Sequence, residues 1–447
     1  MALGRRKREQ QEMWVATQQL PRSPGHPFYR ALNKLLAEAG FDAWVEALCE
    51  PHYARGLGRP GIPPGVYFRM LLAGYFEGIG SQRGIAWRCS DSRSLQEFLG
   101  VAATEETPDH SSLSRVAQRL PVDVHREVFQ FVLRIAVEKK LLGGKTVVVD
   151  STTLEANAAM KSIIRRDTGE DWNDYLRRLM QEQGLLTEGE EPTVEDLRRF
   201  DKKRKDKKVS NEEWVSETDP DSRITKMKDG TTHLAYKAEH VLDEATDLLL
   251  AAEIYPADRA DTETLADSVM EAQVNVQAAD DETTIREAVA DKGYHAAKMI
   301  ELCDALHVRT YIPEPDRKGR RRWTDKPPEY QRCVDANRRR VTGERGRRLS
   351  RRRSELAERS FAHVCETGGA RRCWLHGLIK VTKRYLIQAA ARNLGLILRT
   401  LFGIGTARSL QGLRGLAALA QLVARFLQRL LAACLASFAP TSPRTAA

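Results

Sequence analysis

A mixed α/β domain preceded by an all-α region is the architecture this sequence predicts, and three observations carry it. Apolar residues recur at helix spacing between 27 and 140, in Phe28, Leu32, Leu35 and Leu36 and again in Val124, Val128, Val132 and Ile135. At Lys145 the pattern changes to TVVVD, a β-branched run of the kind buried on both faces of a sheet. From there strand-like and helix-like stretches alternate as far as about residue 402.

Taken in order, residues 1–26 read as a tail and 27–140 as a helical DNA-binding domain. The domain is broken at Gly58-Arg-Pro-Gly-Ile-Pro-Pro-Gly65 and again at Thr107-Pro108-Asp109. The second break precedes a short helix, His110 to Arg119, whose Arg115 and Arg119 share a face and make it a candidate DNA-reading helix. A catalytic domain is expected over 143–402, opening with a strand that ends on Asp150. Residues 163–228 are dominated by charge, with Trp172, Leu176 and Leu179 among few apolar anchors, and read as a helical insertion. HLAYKAEHVLD and DLLLAAEIYP follow as an antiparallel hairpin through Glu244-Ala-Thr246. Next come a helix from Asp261 to about Val276, a strand from Ile285 ending on Asp291, a helix over 295–306 and the strand VRTYIP. A basic segment, 317–353, leads to helices over Arg351–His363 and Val381–Phe402, and 403–447 reads as an amphipathic helix and tail. Three strands followed by alternating elements is the order of a ribonuclease-H-like mixed sheet.

Composition narrows the function classes. A chain of 447 residues with 42% hydrophobic and 30% charged residues fits two or three folded domains. Seven scattered cysteines, an odd number, argue against a disulfide framework and for a reducing compartment. The first residues carry charge with no apolar run behind it, so no signal peptide is expected. Arg414, Arg425 and Arg429 interrupt the most apolar stretch, so no membrane span is expected, and the protein reads as cytoplasmic, nucleoid-associated when on DNA. Neither G-x-x-x-x-G-K-[ST] nor G-x-G-x-x-G occurs, so no nucleotide cofactor is implied.

The positive charge is local. Residues 317–353 hold 16 Lys/Arg against four acids, a net +12 that exceeds the whole-chain +10. Guanidinium forks suit phosphates, so Arg320, Arg321, Arg322, Arg338, Arg339, Arg340, Arg351, Arg352 and Arg353 are candidate DNA contacts. Two acids stand at strand ends: Asp150, before Ser-Thr-Thr, and Asp291, before Lys-Gly-Tyr, where Gly293 permits a tight bend beside the carboxylate. Two carboxylates and a third acid can hold two Mg²⁺ about 3.5 to 4 Å apart for phosphoryl transfer, and hard oxygen ligands suit that ion. Glu358 is the chosen third acid, because Phe361 three residues on can anchor its helix face to the sheet; Glu355 lies on nearly the same face and stays open. His363, Cys365, Cys373 and His376 have no usual zinc spacing, and His295 reads as a surface residue at a helix start.

The strings VVVDSTTLEANA, HLAYKAEHVLDEATDLLLAAEIYPADRADTETL, AVADKGYH and RRRSELAERSFAH…GGARRCWLHG…KRYLIQAAARNLGLILR resemble those of bacterial insertion-sequence transposases of the DDE type, over roughly residues 27–402. The resemblance implies that Asp150, the Asp291 of D-[KR]-G-Y and the Glu358 of E-x-x-F are the catalytic, metal-holding acids. It implies a ribonuclease-H-like core using two Mg²⁺ or Mn²⁺ ions. The implied substrate is double-stranded DNA, cut at the terminal inverted repeats of a transposable element and joined through its 3′ ends to target DNA, with a homodimer assembled on it. Many relatives carry an Arg four residues before the Glu and a Lys about seven after; here those places hold Ser354 and Cys365, leaving Arg351, Arg352 and Arg353 as physical substitutes. A non-catalytic DNA-binding regulator and a nuclease that cuts without joining are the rival readings.

Overall fold

The computed structural model describes residues 25–54, 61–186, 190–204, 209–227, 230–316, 323–324, 326–410 and 423–424. Arg320, Arg321, Arg322, the tail 1–24 and nearly all of the expected amphipathic C-terminal helix lie outside them.

Seven helices open the chain: α1 (Pro27–Glu38), α2 (Phe41–Cys49), α3 (Pro64–Glu77), α4 (Gln82–Asp91), α5 (Arg93–Leu99), α6 (His110–Arg119) and α7 (Val122–Glu138). The α6 helix starts where the Asp109 side chain accepts the Ser112 N–H, satisfying one of the donors a helix start leaves open. The α3 helix is buried on every side from Tyr67 to Phe76, its one charge there, Arg69, being paired with Asp42, and is the buried centre of this region.

The sheet domain follows. It comprises β1 (Thr146–Glu155), β2 (Ile163–Arg165), α8 (Trp172–Glu182), α9 (Val194–Lys203), β3 (Trp214–Ser216), β4 (Arg223–Lys226), β5 (Thr232–Asp243), β6 (Leu249–Pro256), α10 (Asp261–Ala279), β7 (Glu287–Val289), α11 (Ala297–Ala305), β8 (Arg309–Tyr311), α12 (Pro328–Thr342), α13 (Glu344–Phe361) and α14 (Leu378–Phe402). Along the main sheet the order is β6-β5-β1-β7-β8, with β4 extending the β6 edge of β5. β5 and β6 run antiparallel to their neighbours, whereas β7 and β8 run parallel to β1, giving the mixed sheet of the ribonuclease-H-like type.

Both outer edges are sealed by a buried asparagine amide. Asn393 of α14 exchanges two hydrogen bonds with the Leu249 backbone on β6, and Asn337 of α12 does the same with Ile312 just past β8. A sheet edge is a row of unpaired backbone groups, so each amide closes a place where another strand could add. The α7 helix lies against both α10 and α14, and its Gln130 bonds Asn275, which in turn reaches the Leu250 carbonyl.

Several elements differ from expectation. β1 does not end on Asp150 but runs on to Glu155, because β5 is long enough to pair with it through Ala235. The 163–228 insertion holds its two helices, closed on Leu176, Met180 and Leu197, but also the small β2–β3 sheet and β4. The basic stretch contains the whole of α12 and the first half of α13, whose sparse apolar positions, Cys333, Val334, Leu349 and Leu356, are buried. His295 is buried, not a surface residue.

Candidate active site

Val147, Val148 and Val149 place β1 at the fully buried centre of the sheet, and Asp150 is the first charged residue along it. Side chains alternate across a strand, while directly paired residues share a face. Asp150 pairs with His240, so both look toward α13. His240 bonds the Ser360 hydroxyl at 2.9 Å and the Tyr385 hydroxyl at 2.7 Å, and stacks on Phe361 with ring centroids 4.1 Å apart. Complete burial holds its imidazole well below the usual histidine range, so a neutral ring pins α13 to the sheet one strand away from Asp150. That is the anchoring assigned to Phe361 from the sequence.

Above Asp150 lies Arg353, whose Nη1 donates to Oδ2 at 2.8 Å, while Oδ1 accepts the Ser151 N–H at 2.9 Å. The ion pair is partly open to solvent, the Asp150 side chain being 24% exposed. On the neighbouring strand Val289 is the register partner of Val148. Asp291 therefore stands as far past that pair as Asp150 does, and the two acids reach the same level of the sheet. Asp291 then turns the chain, its Oδ1 accepting the Gly293 N–H at 2.8 Å. A Cβ on Gly293 would sit 3.0 Å from that Oδ1 and 3.1 Å from Oδ2 of Asp261, so the glycine leaves the space between two carboxylates open.

Glu358 is exposed on α13 and makes no side-chain hydrogen bond or ion pair among the described residues. Arg345 of the same helix pairs with Glu287 and Arg359 with Asp247, both at the end of the sheet where β1 begins. At about 100° per residue Glu358 lies about 60° round the helix from Glu355 and about 140° from Arg353, so its exposed carboxylate stands on the outer side of α13. Glu355 projects away from the sheet and is tied to Arg352 and Arg359, which hold its carboxyl below the usual range.

The register thus sets Asp150 and Asp291 each two residues past one strand pair, while Glu358 stays exposed on α13. It does not draw the three into one cage: among the described residues no three acid, histidine or cysteine side chains are close enough to hold an ion. The donor chemistry nonetheless suits Mg²⁺ or Mn²⁺, being all carboxylate oxygen, and a cation already sits on Asp150 in the form of the Arg353 guanidinium.

A layer missed in the sequence backs this site from the other face of β1. Ser151 donates to Oδ1 of Asp261 at 2.9 Å, and Lys237 Nζ meets the same oxygen at 2.6 Å. Lys237 also contacts Glu239 at 3.1 Å and the Thr264 hydroxyl at 2.8 Å; Tyr294, from the Asp-Lys-Gly-Tyr turn, donates to Glu239 at 2.9 Å. Lys237 thereby links Asp261, bonded to the segment following Asp150, with Glu239, bonded to Tyr294 of the turn following Asp291. The signal was available: Lys237 and Glu239 are opposite charges two residues apart, on one face of a largely apolar strand.

The candidate DNA-contact arginines separate into groups. Arg339 and Arg351 are exposed. Arg338 pairs with Glu314 and Asp335, Arg352 with Glu355 and Arg353 with Asp150. Arg340 is turned inward, its Nε donating to the Thr310 carbonyl at 3.0 Å. On α6, Arg115 and Arg119 are exposed, Arg119 lying over the Tyr53 ring. Cys365 and Cys373 are buried, and His376 bonds Asn157.

Among the described residues no helix is long and apolar enough to cross a membrane. No curated protein matches the chain. Two family models do: residues 16–119 match a transposase domain (DUF772), and residues 143–394, more than half of the chain, match the transposase DDE domain. With the mixed sheet, the level pair of aspartates and both matches in the same order along the chain, this protein belongs to the DDE transposase family.

Proposed function

We propose that the chain is the transposase of a bacterial insertion sequence, cutting DNA at the terminal inverted repeats and joining the freed 3′ ends to target DNA. The observation that supports this reading is the match of residues 143–394 to the transposase DDE domain, together with the parallel β1–β7 register that leaves Asp150, and Asp291 just past β7, each two residues beyond the Val148–Val289 pair. Asp150, Asp291 and Glu358 are the catalytic acids and would hold two Mg²⁺ or Mn²⁺ ions. Bound there, the metals would supply activation of the attacking oxygen and stabilisation of the departing 3′ oxygen. Cutting and joining are both in-line attacks on a phosphodiester and differ only in the nucleophile, water first and the freed 3′-hydroxyl second, so one site serves both.

The protein's own groups position that chemistry. The neutral His240 and Phe361 fix α13 over the sheet, and Tyr294, bonded to Glu239, fixes the Asp291 turn against β5. Arg353, released from Asp150, is placed to meet a backbone phosphate beside the reacting one. Arg339 and Arg351, exposed on α12 and α13, extend that contact. The helical region 27–140 and the charged insertion would read the element ends, and pairing two ends calls for two copies of the chain.

The test is cleavage and joining of labelled DNA bearing the element's own terminal repeat, with Mg²⁺. Wild type is expected to cut and join, while Asp150→Asn, Asp291→Asn and Glu358→Gln bind the DNA and do neither. Binding without any effect of the acids would make the protein a DNA-binding regulator; cut ends that are never joined would make it a nuclease.

A further inference from the structure

A cleft of about 590 Å³ opens between the N-terminal helices and the start of α14, walled by Tyr67, Leu71, Gln82, Ser114, Trp374 and Ile379. Three cations line it, Lys380, Lys383 and Arg384, and among the described residues none forms an ion pair with a carboxylate. Lys383 donates to the Ala117 carbonyl at 3.1 Å and Arg384 to the Ile79 carbonyl at 3.0 Å, while Nε of Arg384 is buried without a hydrogen-bond partner. Burial, with the repulsion of Lys380, pushes the Lys383 amine down; burial alone pushes Arg384 down to about 10. Removing cations from water without a counter-charge is costly, and an anion entering the cleft relieves that cost.

Beside the cations the cleft exposes large apolar side chains. Trp374 is 55% exposed and Ile379 63% exposed, unusual for side chains of this kind. The indole lies over Gly80, where a Cβ would come within 2.7 Å of it, and Arg372 sits 5.6 Å from its ring centroid. An exposed indole beside unpaired cations is the combination that holds a nucleic-acid strand, the ring taking a base face and the cations its phosphate.

The cleft is also connected to the proposed active site. The loop bearing Trp374 is laid along the far half of β1, through Arg371 to Thr152, Cys373 N–H to the Glu155 carbonyl and His376 to Asn157. Asn157 is seven residues beyond Asp150, roughly 23 Å along an extended chain. That is about seven nucleotides at ~3.4 Å per phosphate.

We infer that this cleft is a second DNA contact, separate from the basic stretch 317–353, in which Lys380, Lys383 and Arg384 hold a phosphodiester and Trp374 stacks an unpaired base about seven nucleotides from the bond that is cut. The inference rests on the DNA transposase reading above.

Fluorescence anisotropy on the full chain tests it, using a labelled duplex of the terminal repeat with a single-stranded flank and the same duplex without one. Lys380→Ala/Lys383→Ala is expected to weaken both about tenfold and to flatten the dependence of log Kd on log salt by about one to two. Trp374→Ala is expected to weaken the flanked substrate roughly 5- to 100-fold and the blunt one much less. Thermal unfolding checks that each variant folds, and should the double variant fail to fold, Lys380→Glu, at an exposed position, is expected to weaken binding on its own. Wild-type affinity and salt slope in the lysine variants would overturn the inference, as would equal losses on both substrates for Trp374→Ala. Asp150→Asn keeps the two readings apart: a variant that binds but cannot cut leaves the transposase reading intact even if the cleft proves idle, whereas no DNA binding by wild type sinks both.

Discussion

The two faces of β1 are built from the same kinds of residue and are wired in opposite ways. On the α13 face Asp150 meets one arginine in a partly open pair, and Glu358 has no partner among the described residues. On the α10 face Lys237, Glu239, Thr264, Asp261 and Tyr294 bond one another in a layer where Glu239 is fully buried. Charges meant to exchange partners must stay near water, whereas charges that fix a backbone can be buried, provided each is paired. The difference assigns chemistry to one face and alignment to the other, and substitutions on each should behave accordingly.

The largest effect is expected from Lys237→Met. It removes the one cation that contacts Glu239 among the described residues and leaves that buried carboxylate, among those residues, with hydroxyl partners. A buried pair broken on one side costs about 3–5 kcal/mol. Urea denaturation should show a loss of that size; a loss under about 1 kcal/mol would mean that the layer is not a structural unit.

The same face should impose a pH dependence. Glu253 faces Glu239 across the sheet, and burial raises its carboxyl to about 7 despite Arg126. The folded state therefore holds a proton that the unfolded chain loses near 4.5, so stability is fully present below about 4.5 and declines as pH rises through about 7. The full contribution is at most about 3 kcal/mol. Glu253→Gln should abolish this slope, read as the difference between variant and wild type in denaturation midpoints from pH 4 to pH 8. Parallel curves would show that Glu253 stays ionised in the folded protein.

Asp261→Asn addresses alignment directly. The amide keeps the size and can still accept from Ser151, but loses the charge that Lys237 holds. Removing such supporting groups typically costs 10–100-fold in metal affinity or activity. A drop of that order in both calorimetric Mn²⁺ affinity and strand cleavage is expected, with DNA binding unchanged. Ser151→Ala, which removes one bond and no charge, should lose less.

How much of this was legible in the sequence follows the same division. The N-terminal helices are legible because Phe28, Leu32, Leu35 and Leu36 repeat at helix spacing and bury as one stripe. The hairpin β5–β6 is legible from apolar runs either side of a short polar turn. β1 beyond Asp150 is not, since Ser151, Thr152 and Thr153 read as a turn until β5 is known to pair with them. Nor are α12 and most of α13, where arginine crowds the few apolar positions that define a buried face. Asp150 and Asp291 are singled out by sequence pattern, but their common level depends on a register between strands far apart in the chain. Asp261 depends on still more, because only the fold brings the start of α10 beside Ser151 and Gly293.

The smallest effect, and the sharpest for the comparison, is expected at Arg353. Its pair with Asp150 is 15% and 24% exposed on its two sides, close to the surface regime in which an ion pair is worth about 1 kcal/mol or less. Arg353→Ala should therefore change the unfolding free energy by about 1 kcal/mol, in contrast to Lys237→Met. An ion arriving at Asp150 in wild type must displace the guanidinium, and in the variant it need not. Mn²⁺ should then bind the variant about fivefold more tightly, the same ~1 kcal/mol read as an equilibrium constant. Strand cleavage should still fall, because the arginine that leaves the carboxylate is the one positioned to receive phosphate. Weaker Mn²⁺ binding in the variant would make Arg353 a support of the carboxylate instead of its competitor, and the α13 face would then be as fixed as the α10 face.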